Sequence, residues 1–264
     1  MKIKNLQKEK YWSKYYAIEK KISVAPSTGI FGSYDIYLCD SILQNNIHIS
    51  TSLNHGISKI CEIGSGDGKL LVKLAKMFNA NPYGIEYSRE AAIKSKNLGV
   101  TAIIKDVFSP DVLKKYKNYF NIVFSYGFIE HIMPPSKAIK LHVDLTKPGG
   151  YVVIQIPRFK GFNRWRINFF RPDLVEGHNM SIMDADILDN LCKDPRIEKI
   201  YCKTYGTYKI RIPMEVKNYK YYILKSLCLL EYALSPLCRM LFGKKGFETD
   251  FFSPAIMFIG KKKN

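Results

Sequence analysis

The residues best placed to do chemistry cluster at Glu62-Ile63-Gly64-Ser65-Gly66-Asp67-Gly68, between an apolar run and an amphipathic stretch. Glycines in alternation let a backbone turn tightly and pass close to a bound ligand, because only glycine enters the left-handed region without penalty. The helix N-terminus that follows favours a negative group such as a carboxylate. Spacing separates two chemistries: a dinucleotide fingerprint is GxGxxG, which would need glycine at position 69, where this chain has Lys69. A second acid, Glu86, ends the next apolar run. There it can accept hydrogen bonds from both hydroxyls of a ribose, or be a solvated strand-end acid. Tyr87 follows it and can pack on the face of a flat base.

The elements that must position these groups alternate along the chain. Apolar runs at 59–64, 82–86, 100–105, 119–125 and 150–157 are separated by helical patterns at about 68–78, 88–98, 109–117 and 135–146, the βαβ rhythm of a parallel sheet. Pro148-Gly149-Gly150 marks a helix stop before the fifth run. After Pro157, residues 158–180 are rich in Arg, Phe and Asn and predict a long loop or insertion. Residues 181–193 predict a helix with Ser181 as N-cap. Two more strands are predicted over 197–205 and 254–260, and between them 216–242 is helical but broken near Pro236. Helices are also predicted over 7–21 and 33–44.

The pattern E-x-G-x-G-x-G after a strand resembles the first motif of class I S-adenosylmethionine-dependent methyltransferases, small-molecule type 11 or type 12-like. Over residues 57–157 the resemblance is good. It implies an α/β fold with a Rossmann-like seven-stranded sheet in the order 3-2-1-4-5-7-6, the last strand antiparallel, and helices on both faces. It implies an N-terminal helical cap over 1–50 and a cofactor-binding domain over 51–264, with a helical insertion at about 206–250. It assigns S-adenosylmethionine to Glu62, Gly64, Ser65, Gly66, Gly68, Glu86 and Tyr87, to Asp106 and Val107 after the third strand, and to Ser125 and Tyr126 after the fourth. Asp106 commonly reaches an adenine amino group in this family; its other reading, an N-cap for 109–117, suits Ser109 better. Ser125-Tyr126-Gly127-Phe128-Ile129-Glu130-His131-Ile132 resembles the leucine-glutamate-histidine segment of the class, with Phe128-Ile129 in place of the usual apolar pair. His131 either takes a proton from the acceptor or, with Glu130, only orients the loop.

The flanks would choose the acceptor. Tyr34 belongs to the N-terminal candidates, and the insertion offers Arg158, Arg164, Trp165, Arg166, Arg171 and His178, a basic set suited to an anionic acceptor. The net charge of +18 is uneven: residues 1–21 hold seven Lys against two Glu, and 199–264 hold thirteen Lys or Arg against four acids. Such ends attract nucleic acid, anionic lipid or a phosphorylated acceptor. Nucleic acid ranks lower, because the segment after strand four is Ser-Tyr-Gly-Phe rather than an Asn/Asp-Pro-Pro-aromatic motif, and no Pro-Cys supplies a base-attacking thiol. The expectation is therefore O-methylation of a small-molecule, glycan or lipid-linked acceptor, with an RNA methyltransferase or a non-catalytic relative as alternatives.

Segment 216–242 is too interrupted to span a bilayer and predicts a buried cap or homodimer interface first, a membrane-surface helix second. No secretory signal is visible in Met1–Lys21. The six cysteines form no CxxC pair, so reduced thiols and a cytoplasmic setting are expected. The five histidines (His48, His55, His131, His142 and His178) are scattered with no carboxylate–histidine cluster, so no metal is expected.

Overall fold

The computed structural model describes residues 4–5, 32–49, 57–214 and 216–264. The helix expected over 7–21 lies outside them. Seven strands form one sheet: β1 (Ser58–Ile63), β2 (Ala80–Glu86), β3 (Thr101–Ile104), β4 (Phe120–Tyr126), β5 (Thr146–Pro157), β6 (Ile197–Tyr205) and β7 (Ala255–Lys262). Their spatial order is β3-β2-β1-β4-β5-β7-β6, which matches the expected 3-2-1-4-5-7-6. β1 to β5 run parallel, and β7 is antiparallel to both its neighbours.

Parallel strands are covered on both faces, and the alternation along each strand shows it. On one face Ile60, Ile122 and Phe124 pack with Leu71 and Leu74 of α2 (Lys69–Met77) and with Leu43 of α1 (Tyr34–Asn46). On the other, Cys61, Ile63 and Val123 meet Val112 of α4 (Pro110–Tyr116) and Leu141 of α5 (Pro135–Leu145). Between them in sequence, α3 (Arg89–Lys96) starts at Ser88, whose hydroxyl accepts from the Ala91 N–H. The strand order reverses between β1 and β4, where Glu62 lies beside Phe124. That reversal opens the crevice at the carboxyl ends where ligands bind in open α/β sheets.

Three expectations need correction. Residues 158–180 are not a loop: they hold α6 (Gly161–Phe170) and the short α7 (Asp173–Glu176). The buried stripe of α6 is Asn163, Arg166, Ile167 and Phe170, a helical spacing hidden because two of its members are polar. Both are satisfied inside: Asn163 donates to the Phe252 carbonyl at 2.9 Å, and Arg166 to the Ile210 and Arg211 carbonyls at 2.9 and 3.1 Å. Ser181 caps no helix; α8 (Ala185–Leu191) begins later, capped by Asp184. Nor is 216–242 broken: α9 (Tyr219–Phe242) runs through Pro236, which removes only the donor to the carbonyl one turn back. Ser235 and Arg239, on either side, anchor that stretch by donating to the Gly32 carbonyl at 2.6 and 3.0 Å. Lys262 is buried at the end of β7 and donates to Asn118 Oδ1, the Val143 carbonyl and the Thr146 carbonyl.

Candidate functional site

The glycine turn joins β1 to α2 as expected. Gly64, Gly66 and Gly68 all have positive φ, at 71°, 53° and 78°. At two of them space is also closed. A Cβ on Gly64 would lie 2.9 Å from the Phe128 ring, and one on Gly68 would lie 2.6 Å from Ser95 Cβ. The Phe128 contact packs the loop after β4 directly onto the turn after β1, joining the two sides of the crevice.

Glu86 ends β2 nearly buried, and its two oxygens are aimed by backbone donors: Gly66 N–H to Oε2 at 2.9 Å and Ser88 N–H to Oε1 at 2.8 Å. Burial raises its pKa above the ordinary carboxylate value, against the opposing pull of the Ser88, Gly66 and Tyr87 N–H groups. Glu62 is buried too. Burial and then the Glu86 charge push its pKa well up. Glu62 Oε2, Ser65 Oγ and Ser125 Oγ are buried polar atoms with no hydrogen-bond partner, a costly state unless a ligand completes them. They stand at the ends of β1 and β4, so the crevice fits a ligand bearing both donors and acceptors, as the ammonium and carboxylate of S-adenosylmethionine are. Asp106 is exposed, and its Oδ1 accepts from the Phe108 N–H at 2.9 Å; Val107 beside it is buried. Ser109 makes no side-chain cap bond to α4, whose start is set by Pro110. Tyr87 follows Glu86, half-buried.

Where β4 ends, a cavity of about 300 Å³ begins at Tyr126 and Gly127. One part of its wall carries Glu130, His131 and His178. Here the expectation of scattered histidines and no cluster is overturned. Ligand-type atoms of these three residues lie within 4.8 Å of one another, and the His131 and His178 rings are 4.4 Å apart. His131 Nδ1 meets the Gly177 carbonyl at 2.6 Å, and His178 Nδ1 meets the Leu174 carbonyl. A carbonyl can only accept, so each Nδ1 carries the proton and each Nε2 is left basic. His131 Nε2 lies 4.0 Å from Glu130 Oε1. Burial, then the neighbouring His178, lowers the His131 pKa to about 3, and burial raises that of Glu130 to about 8. Both groups are thus neutral at neutral pH. Both Glu130 carboxyl oxygens lack a hydrogen-bond partner.

The other part of the wall is cationic, with Arg166, Arg171, Lys209 and Arg211. Three of these are committed. Arg171 forks onto Asp173 at 2.8 and 2.6 Å, Arg166 holds backbone carbonyls, and Arg211 forks onto Asp35 at 2.6 and 2.7 Å. Lys209 makes no hydrogen bond to any described residue; burial, then the Arg211 charge, lowers its pKa to about 8. Gln155 on β5 adds a buried Oε1 with no partner.

The sequence-predicted acceptor residues fare unevenly. His178 lines the cavity. Tyr34 does not: it is buried at the start of α1 and donates to the Gly243 carbonyl at 2.9 Å. Arg158 is buried against the Asp250 and Ser253 carbonyls, and Arg164 is half-buried on α6 outside the cavity wall. The cations that line the cavity are Arg166 and Arg171, which the sequence of the same segment also offered, with Lys209 and Arg211 from farther on. Those last two were hidden in the basic C-terminal flank. The alternation Tyr208-Lys209-Ile210-Arg211-Ile212, two cations facing one way between apolar neighbours, is the signal that could have found them.

Comparison with known proteins agrees with this geometry. A family model described as a methyltransferase domain matches residues 33–194. The ubiquinone biosynthesis O-methyltransferase of Paraburkholderia phymatum is 29% identical over 98 residues, which span 36% of this chain and 42% of that protein. The chain thus matches less than half the length of this curated relative. Among solved structures, the fold is similar to a SAM-dependent methyltransferase of Thermotoga maritima, with a TM-score of 0.56, 15% identity and 97% of each chain covered. It is also similar to phosphoethanolamine N-methyltransferase 2 of Haemonchus contortus in complex with S-adenosyl-L-methionine, with a TM-score of 0.57 and 15% identity, over 97% of this chain and 58% of that one.

Proposed function

The chain belongs to the methyltransferase-domain family, and from that premise we propose that it O-methylates a small acceptor carrying an anionic group, with S-adenosylmethionine as donor. When bound, the donor supplies a methyl already activated by its sulfonium charge, so the protein has mainly to align the reactants. Glu62, Gly64, Ser65, Gly66, Gly68, Glu86, Tyr87, Asp106, Val107 and Ser125 would hold it, with Tyr126 where the crevice meets the acceptor cavity.

The observation that carries the acceptor reading is the two-ended cavity. Its cationic part has one ammonium that no hydrogen bond to a described residue takes up, Lys209, which suits a carboxylate or phosphate on the acceptor. Its other part suits a hydroxyl: His131 Nε2 takes the proton as the new O–CH3 bond forms, and Gln155 Oε1 can accept from a second donor. A proton on His131 is placed beside Glu130, which can ionise to offset it. The partial match to an O-methyltransferase supports this choice of atom.

The test is methyl transfer to a panel of hydroxylated small molecules with and without an anionic group. Lys209→Met is expected to raise KM for anionic acceptors by about tenfold, the value of one charge-assisted hydrogen bond, with kcat and the KM of neutral analogues little changed. An equal loss on neutral and anionic acceptors would remove Lys209 from recognition.

A further inference from the structure

We propose that α9 is a membrane-docking helix, whose outer face lies in the surface of an anionic bilayer. The helix has 24 residues, about 36 Å at the usual rise. One stripe is buried: Tyr221, Leu224, Cys228, Glu231, Tyr232 and Ser235. At about 100° per residue, the arc opposite Cys228 contains Ile223, Leu230, Leu237, Met240 and Leu241, exposed by 43%, 55%, 46%, 75% and 61%. No charged side chain falls in that arc; Ser226 is its one hydroxyl outside the tyrosines. An apolar face this long is far beyond the scattered exposed leucines of an ordinary surface. The one acid of the helix, Glu231, is turned inward and accepts from the Ile210 N–H at 2.7 Å.

The ends of the helix are basic. Lys217 and Lys220 stand at its start, Lys244 and Lys245 just after its end. Beside its start lies an aromatic ridge. Trp165 stacks on Phe162 and Phe169 at 5.7 and 5.8 Å, and Phe162 meets Phe252 at 5.6 Å. Lys220 ties ridge to helix, donating to the Phe169 carbonyl at 2.7 Å. Trp165 is 60% exposed. Exposed Trp beside Lys on an amphipathic helix is the composition of a helix lying in the headgroup region. Among the described residues no helix is long and apolar enough to cross a membrane, so the contact is in-plane.

Charge decides between a bilayer and a second copy of the chain. If two α9 helices packed face to face about a two-fold axis, antiparallel pairing would set Lys217 and Lys220 against the partner's Lys244 and Lys245. Parallel pairing would set each lysine pair against itself. Neither arrangement brings an acid of α9 itself to these lysines, since Glu231 is turned inward, whereas an anionic leaflet supplies negative charge along the whole face. The residues at 1–21, with seven Lys against two Glu, carry the same sign and are no better a cover. The buried stripe of α9 packs with Ile167 and Ile212, which also line the acceptor cavity, so a docked helix backs one wall of the site from behind those two residues.

The test is co-sedimentation of the full chain with phosphatidylcholine vesicles, with and without phosphatidylglycerol. Binding is expected with the anionic vesicles and is expected to weaken by about tenfold or more in Leu237→Ser/Met240→Ser and in Lys217→Glu/Lys244→Glu/Lys245→Glu. The thermal unfolding midpoint of each variant should hold, since these side chains are exposed. A protein that stays in the supernatant would overturn the proposal. So would vesicle binding unaffected by the apolar pair, or light scattering that shows a dimer which the apolar pair dissociates. Vesicle binding needs no methyl transfer, so its outcome is independent of the acceptor assay.

Discussion

Asp35→Ala is expected to lower the unfolding free energy by about 3–5 kcal/mol, the cost of removing one partner from a buried ion pair. Asp35 is buried at the start of α1, and both its oxygens take Arg211 guanidinium donors. Ser33 contributes a further hydroxyl to the same carboxylate. Glu231 Oε1, 3.4 Å from Arg211 Nη1, offers partial compensation and places the loss toward the lower end. Asp35→Leu combined with Arg211→Met removes both charges and is expected to recover most of the stability, while Asp35→Ala alone strands a guanidinium in the cavity wall. Urea titration at neutral pH reads both. The pH dependence has a definite sign. Burial raises the Asp35 pKa, but Arg211 and then Lys209 more than reverse this and hold it at about 2. A depressed carboxylate stabilises above its ordinary value of about 3.9 and loses that contribution as pH falls through the folded value. The wild-type protein should therefore shed this part of its stability between about pH 4 and pH 2, and the double variant should not. If Asp35→Ala costs under about 1 kcal/mol, the range of exposed pairs, the anchoring of Arg211 by α1 is not as described.

His131→Asn is expected to lower kcat on hydroxyl acceptors by about 10²- to 10⁴-fold, the usual contribution of a general base, with little effect on the affinity for S-adenosylhomocysteine. Asn keeps a polar group near the Gly177 carbonyl but has no basic nitrogen. A purely orienting role would instead move KM, or stability, and leave kcat within a few-fold. The pH profile distinguishes the two further. An exposed histidine loses its basic form as pH falls through about 6.5. Burial lowers the His131 pKa to about 3, so the wild-type rate should carry no limb near 6.5 from this residue. A kcat limb at 6.5 that vanishes in His131→Asn would show a ring far more solvated than the one at the end of β4.

Local features of this chain were legible in its sequence, and those that depend on tertiary approach were not. The turn at Gly64, Gly66 and Gly68 and the acids Glu62 and Glu86 declare themselves because their chemistry is set by spacing along one βαβ unit. The order of β6 and β7 came through resemblance and not through periodicity. α6 was missed because Asn163 and Arg166 occupy its buried face, so apolar periodicity is interrupted where the polar groups are satisfied by backbone. The histidine pair could not be seen: His131 and His178 are separated by α5, β5, α6 and α7, and only folding brings their rings to 4.4 Å. The same holds for Asp35 and Arg211, which lie 176 positions apart in the sequence. Tyr34 and Arg158 have their side chains taken up by the Gly243 carbonyl and by the Asp250 and Ser253 carbonyls, and Arg164 lies outside the cavity wall, which residue type alone does not reveal.

The most direct measurement is titration calorimetry of the full chain with S-adenosylhomocysteine, alongside Glu86→Ala. Glu86 has its orientation set by the Gly66 and Ser88 N–H groups, with lone pairs remaining for a ribose. The wild-type protein is predicted to bind at micromolar strength or better, and Glu86→Ala at least about tenfold more weakly, or about 1.4 kcal/mol. A wild-type protein that is folded yet gives no heat of binding, or a Glu86→Ala protein that binds as tightly as wild type, would contradict the assignment of this crevice to S-adenosylmethionine.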